Sequence, residues 1–506
     1  MRFMMVRQGH GFGFAMLAAA SLLVPPAAAG APRQAAVHDV VYLGARAIDP
    51  ETGLDAIRNI AIDGDRITEV TATRIEGRRT IDARGLIAAP GFIDLHSHAT
   101  NQETAGYQAR DGVTTRLELE IGAYPVRSWY EARQGRELLN YGTSVGHTPI
   151  RYYLQKGGGA AGLEALRKPE AFFAGPEIAQ PIPDAAYGQL APLLEEGLRE
   201  GAIGVGSGTQ YAPGITHEEM LDVTRVAGRM RTCVFTHVRY GSLVEPDSTL
   251  ESVQENIANA AITRACVHIV HINSMAMSKA PLMVGLMRSA REHGVDVSTE
   301  IYPWGGSVDS IRSVIFDPGW EKRWGVSVGD LQSRSTGKRL TQADFDALRN
   351  GTGDDGVIMH MNSEATITAL LRDSLVMVAS DGGNITGSNG HPRSAGTFAR
   401  VLGHYVREAH VLDWSEAIRR MSLMPAQRLE AFVPSMRRKG RLQAGADADI
   451  VLFDPDKVGE RATYGDAARY SEGFHYVMVN GVLVVDGGAL VSNVQPGRPV
   501  RSELKQ

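Results

Sequence analysis

Hydrophobic and polar positions follow two different rhythms along this chain. Over 37–89 the rhythm has period two, in short runs split by turns: VVYLGARAID, NIAIDGDRITEV and RTIDARGLIAAP. Successive side chains of a strand face opposite ways, so such runs predict strands with one buried face. The Asp63-Gly64 pair between two of these runs is a hairpin signal. The same rhythm returns near the end in ADIVLFDP and HYVMVNGVLVVDGG, with Asn480-Gly481 as a second hairpin turn. Two β-rich flanks far apart in sequence predict one small β-sandwich domain, built from 30–89 and 439–506.

Between the flanks the rhythm changes. Apolar runs of strand length alternate with helical stretches, the pattern of a parallel sheet with crossover helices. Eight runs have this character: GFIDLHSH, TTRLELE, SVGH, AIGVGS, CVFTH, HIVHIN, VDVSTEIYP and VMVASD. Eight such units predict an α/β fold, a closed (β/α)8 TIM barrel over 90–438. Seven of the eight runs end in a polar or metal-binding residue. In such a barrel the strand C-termini carry the active site, so the placement points to chemistry. The stretch at about 305–373 is too long for an ordinary connection and reads as an insertion, either a lid over that face or a surface decoration.

Composition narrows the class. Of the 506 residues, 43% are hydrophobic and 22% charged, and 52 Lys+Arg against 57 Asp+Glu give a net charge of −5. No basic block stands out, which argues against nucleic acid or an anionic membrane surface as partner. The first residues differ from the rest: Arg2 and Arg7 precede an uncharged run over 12–24, then Pro25-Pro26 and Ala27-Ala28-Ala29. A basic start, a short apolar core and a small-residue end predict a Sec-type signal peptide over 1–29, hence a periplasmic or secreted protein with no membrane association after cleavage. Cys233 and Cys266 each lie in an apolar run and read as buried free thiols. Whether the chain forms a homo-oligomer stays open.

The chemistry begins at His96-Ser97-His98. Side chains at i and i+2 of a strand point the same way, so the two imidazoles can share one ion. His237 ends CVFTH, His271 ends HIVH, and Asp381 ends VMVASD. Histidines on strands one, five and six with an aspartate on strand eight form a metal-hydrolase constellation. The aspartate is placed to take a proton from metal-bound water and return it to a leaving group.

That constellation resembles the amidohydrolase superfamily, and further segments resemble its N-acyl-D-amino-acid deacylases (D-aminoacylases). These are GAIGVGSGTQYAPG at 201–214, THVR at 236–239, EIYP at 300–303 and SDGG…HPRSAGTFARVLGHY at 380–405. The resemblance implies an enzyme hydrolysing an amide C–N bond of a small-molecule substrate other than an ordinary peptide, with one or two divalent ions, zinc by preference. It makes His96, His98, His237 and His271 metal ligands and Asp381 the general base and acid, also in contact with metal. Tyr302 and Arg393 would hold the substrate carboxylate, which the planar guanidinium can grip bidentately.

The chain also departs from that pattern. The deacylases place a cysteine ligand after strand two, and this strand reads TRLELEIG. A glutamate can bridge two cations without modification, and Glu120, nearer the mouth, is the first choice over Glu118. Where the deacylases carry a lysine after the strand-six histidine, this chain has Asn273, a candidate substrate contact. His147, in SVGHTPIR, resembles a deacylase segment and would either polarise the scissile carbonyl or line the pocket. His217, His268, His293, His360 and His404 read as ordinary surface or core residues. The competing readings are a dihydroorotase- or hydantoinase-type cyclic amidase, a D- or isoaspartyl dipeptidase, and a non-catalytic amidohydrolase-like binding protein.

Overall fold

The computed structural model describes residues 37–167, 175–351, 356–387 and 390–503. The signal-peptide segment 1–29 lies outside them. Among the described residues no helix is long and apolar enough to cross a membrane.

Eight parallel strands form the central sheet in chain order: β1 (Phe92–Asp94), β2 (Val113–Ala123), β3 (Asn140–Gly146), β4 (Gly204–Gly208), β5 (Cys233–His237), β6 (Cys266–Ile269), β7 (Val297–Ile301) and β8 (Val376–Val378). They correspond one to one with the eight apolar runs. Burial on both faces removes the alternation expected of a half-exposed sheet, which is why the runs read as nearly continuous hydrophobics. Crossover helices start at side-chain caps: the Asn101 carboxamide accepts from the Thr104 N–H, Thr216 from Glu219, and Ser248 from Glu251.

The last and first strands close the barrel beyond their ladder ends. Ser97 and Gly382 form a parallel bridge, the Asp381 N–H donates to the His96 carbonyl at 2.8 Å, and the His98 N–H donates to the Gly382 carbonyl at 2.9 Å. Buried Asp94 ties the same seam, accepting from the Ser380 N–H at 2.9 Å and the Ser380 hydroxyl at 2.5 Å. The barrel seam therefore runs through the segments that carry His96, His98 and Asp381.

The flanks meet in a single nine-stranded sheet packed on its own apolar cluster of Tyr42, Ile60, Ile67, Ala88, Ile450 and Leu452. Ile87–Pro90 pairs antiparallel with Ile450–Phe453, joining the two chain ends. Val37–Asp49 has a register shift between Tyr42 and Ala45, and this lets its two halves pair in turn with Glu76–Asp82 and Ile87–Pro90. Asn480 (φ 48°) and Gly481 (φ 82°) both take positive φ, the requirement of the tight hairpin read from their sequence.

Between β7 and β8 the chain builds a small antiparallel sheet from Gly306–Ser310, Leu331–Ser333 and Gly356–His360 before the crossover helix Glu364–Arg372. One expectation is corrected at the other end of the barrel. Cys233 and Cys266 are not free thiols but a disulfide, because β5 and β6 place them directly opposite each other, their Cα atoms 4.4 Å apart.

Candidate metal centre and its cavity

Glu120, buried near the end of β2, lies at the centre of four histidines. Its Oε2 is 3.2 Å from His96 Nε2 and 3.1 Å from His98 Nε2. Its Oε1 is 2.7 Å from His237 Nδ1 and 3.0 Å from His271 Nε2. One carboxylate thus faces two pairs of imidazoles, one pair on each oxygen. Asp381 Oδ1 completes the first group, 3.4 Å from both His96 Nε2 and His98 Nε2.

These spacings fit a cation. Ligand bonds of about 2.0–2.1 Å at tetrahedral angles put donor atoms roughly 3.3 Å apart. His96 Nε2 and His98 Nε2 approach to 3.1 Å with their nitrogens facing one another. Among neutral rings, two such lone pairs and a carboxylate repel unless a proton or a metal ion lies between them. The donors fall into three overlapping sets: His96, His98 and Glu120; His96, His271 and Asp381; Glu120, His237 and His271. Nitrogen with carboxylate oxygen suits zinc and similar divalent ions, and Glu120 is shared as a bridging ligand would be.

On three of the four histidines the ring nitrogen on the far side is held as metal ligands usually are. His96 Nδ1 is 2.7 Å from Glu300, whose other oxygen is 3.1 Å from His268 Nε2. His98 Nδ1 is 2.7 Å from Glu118. His237 Nε2 is 2.6 Å from the Gln210 carboxamide oxygen. Burial works against a proton on His96, but Asp381, Glu120 and Glu300 outweigh it and push its pKa well up. Burial likewise opposes ionisation of Glu120, and the neighbouring histidines overcome it, leaving the carboxyl well below its usual range. The carboxylates therefore favour positive charge on the His96–His98 side of the cluster. His271 (φ 28°) and Asp381 (φ 51°) hold left-handed backbone that costs a non-glycine residue energy, a feature concentrated at functional sites.

The cluster opens into a cavity of about 730 Å³. Arg393, at the start of the helix Arg393–Arg400, lines it with Tyr302. Its Nη1 lies 2.8 Å from Asp381 Oδ2, and its guanidinium carbon lies 4.9 Å from the centre of the Tyr302 ring. Buried Arg393 Nε, Tyr302 Oη and His271 Nδ1 have no hydrogen-bond partner among the described residues.

Two of the expected contacts are not among the residues that line the cavity. His147 is fully buried outside the cavity lining, with Nδ1 2.8 Å from Ser207 Oγ and Nε2 2.8 Å from Glu219, so both ring nitrogens are engaged within the protein. Asn273 is also buried off the lining, and its amide donates to the Tyr302 carbonyl at 3.2 Å. It positions the strand-seven turn instead of touching the cavity. Conversely, Gln210, Tyr211 and Asp309 line the cavity without having been singled out. The first two sit inside the quoted segment 201–214, whereas Asp309 has no local signal and arrives on the insertion. Buried Glu300, behind His96, lies in the quoted EIYP.

Known proteins resemble this chain in sequence and in fold. A model of the amidohydrolase family matches residues 329–485. The chain is 28% identical to the N-acyl-D-glutamate deacylase of Alcaligenes xylosoxydans xylosoxydans, over 92% of this chain and 97% of that one. It is 26% identical to the D-aminoacylase of the same organism, over 88% and 94%. The crystal structure of the Bordetella bronchiseptica N-acyl-D-glutamate deacylase, complexed with zinc and a phosphonate inhibitor, superposes with a TM-score of 0.75 at 24% identity, covering 92% of this chain and 100% of that one. Residues 329–485 are thus an amidohydrolase-family segment, in a chain that resembles the N-acyl-D-amino-acid deacylases over nearly its whole length.

Proposed function

We propose that this chain is a metal-dependent amidohydrolase that removes the acyl group from N-acyl-D-amino acids. The observation that carries the reading is Glu120 set between His96/His98 and His237/His271, with Asp381 at its edge and Arg393 beside it. His96, His98, Glu120, His237, His271 and Asp381 would hold one or two divalent ions, zinc by the donor set. Bound there, the ions supply Lewis acidity to the attacking water and the scissile carbonyl.

Asp381 is the general base and acid. It takes a proton from the attacking water as the carbonyl carbon becomes tetrahedral, then gives that proton to the amide nitrogen as the C–N bond breaks. Arg393 binds the substrate carboxylate. Its unpartnered Nε and its position over Tyr302 leave a donor for an incoming anion, and that anchor would fix the carbonyl near attack distance. The barrel over 90–438 would carry this chemistry, the β-rich flanks would support it, and the insertion would shape the substrate cavity. The residue pattern of 1–29 supports export to the periplasm or medium.

The test is hydrolysis of matched N-acetyl-D- and N-acetyl-L-amino acids by zinc-loaded protein, with dihydroorotate and simple dipeptides alongside. Zinc-dependent release of D-amino acids is the expected result. Turnover of dihydroorotate or dipeptides with no release from the D-series would replace this reading with a cyclic amidase or dipeptidase.

A further inference from the structure

We propose that Asp309 makes the cavity select neutral, mainly apolar substrate side chains and reject acidic ones. The inference rests on the deacylase reading above and concerns which D-amino acid the site accepts. Asp309 stands on the insertion strand Gly306–Ser310 and lines the same cavity as His237 and Arg393. Its carboxylate accepts from the Ser310 N–H at 2.7 Å and hydrogen-bonds the Tyr211 side chain. Both partners are neutral donors; burial outweighs them and pushes the carboxyl up to about 6, which still leaves it mostly ionised at neutral pH. Among the described residues Asp309 has no ion-pair partner, so at neutral pH a second carboxylate entering here meets a like charge.

The two arginines in the lining do not offset that repulsion. Arg393 is engaged with Asp381 and, in the proposed reaction, with the substrate's own α-carboxylate. Arg312 is half-exposed and donates Nη1 to the Gly351 carbonyl at 3.0 Å. Much of the remaining wall is Met275, Val308, Ile315, Trp324, Met359 and Met361. An apolar side chain gains by leaving water against such a wall, whereas an unpaired carboxylate loses its hydration there. On this ground the chain differs in substrate from its N-acyl-D-glutamate deacylase relative, despite the similarity in sequence.

The experiment compares kcat/KM of the zinc-loaded full chain for N-acetyl-D-methionine, N-acetyl-D-glutamine and N-acetyl-D-glutamate. The last two differ only in charge at the side-chain end. Glutamate should be poorer than glutamine by about a hundredfold, the scale of a like-charge contact in a partly desolvated site. Asp309→Asn, checked for folding by its melting curve, should narrow that ratio by about tenfold or more. Glutamate turned over as well as glutamine by the wild type would overturn the proposal without any variant. So would an unchanged ratio in Asp309→Asn, or a preference for glutamate that disappears in Arg312→Gln. Failure to hydrolyse any of the three with zinc bound would instead remove the deacylase reading, and this inference with it.

Discussion

Arg393 Nη1 lies 2.8 Å from Asp381 Oδ2, while the other oxygen of Asp381 is 3.4 Å from both His96 and His98. One carboxylate therefore links the histidine cluster to the arginine. Burial opposes ionisation of Asp381, but Arg393 and then His96 prevail and keep it ionised far below the usual aspartate range.

Asp381→Asn should lower kcat for the best N-acetyl-D-amino acid by about a thousandfold, within the range of general acid–base contributions. Retained activity within tenfold of wild type would exclude Asp381 as the proton carrier. Metal content measured on the same sample separates loss of the base from loss of the ion.

Arg393→Lys keeps the charge but not the planar fork, so KM should rise by about tenfold or more with a smaller change in kcat. The methyl ester of the same substrate has no carboxylate to anchor. Its KM should be nearly indifferent to the substitution, and an equal rise for acid and ester would remove Arg393 from the anchor role.

Glu118→Gln loses the carboxylate 2.7 Å from His98 Nδ1 without touching the ring face turned to Glu120. Zinc affinity, read by competition with a chelator, should fall by about 10–100-fold, the usual effect of removing an outer-sphere carboxylate. Unchanged affinity would make Glu118 a structural group only.

Burial, and then the Arg339 charge, hold the His360 imidazole down from 6.5 to about 4. A depressed folded-state value means the unfolded chain binds the proton more readily. His360 therefore contributes stability that is present above pH 6.5 and is lost as pH falls towards 4. His360→Gln preserves a donor to Gln332 and removes the titration. Its melting temperature should fall less than that of the wild type between pH 6.5 and 4, and parallel curves would contradict the assignment.

The barrel was legible because its strands lie in short apolar runs, seven of the eight closed by a polar residue, a pattern carried by adjacent positions. The ladders stop earlier than those runs suggest. β1 ends at Asp94 and β8 at Val378, so His96, His98 and Asp381 sit on the loop starts that stitch the barrel seam. Glu120 could be preferred to Glu118 from its place nearer the strand end, and the structure gives the two glutamates different partners as that position implies. What escaped notice depends on contacts between distant positions. The Glu219 that satisfies His147 lies 72 residues further on, and no local rhythm announces it. The pairing of Cys233 with Cys266 needs the register of two strands, and Asp309 enters the cavity only because the insertion folds back over it.

The most direct measurement is a zinc titration of chelator-stripped protein, following both bound metal and release of D-methionine from N-acetyl-D-methionine. Activity should be absent without metal and return with the first one or two equivalents, and Glu120→Ala should lose both tight binding and activity. Undiminished hydrolysis by the stripped protein, or zinc bound as tightly by Glu120→Ala as by the wild type, would contradict a metal centre organised around Glu120.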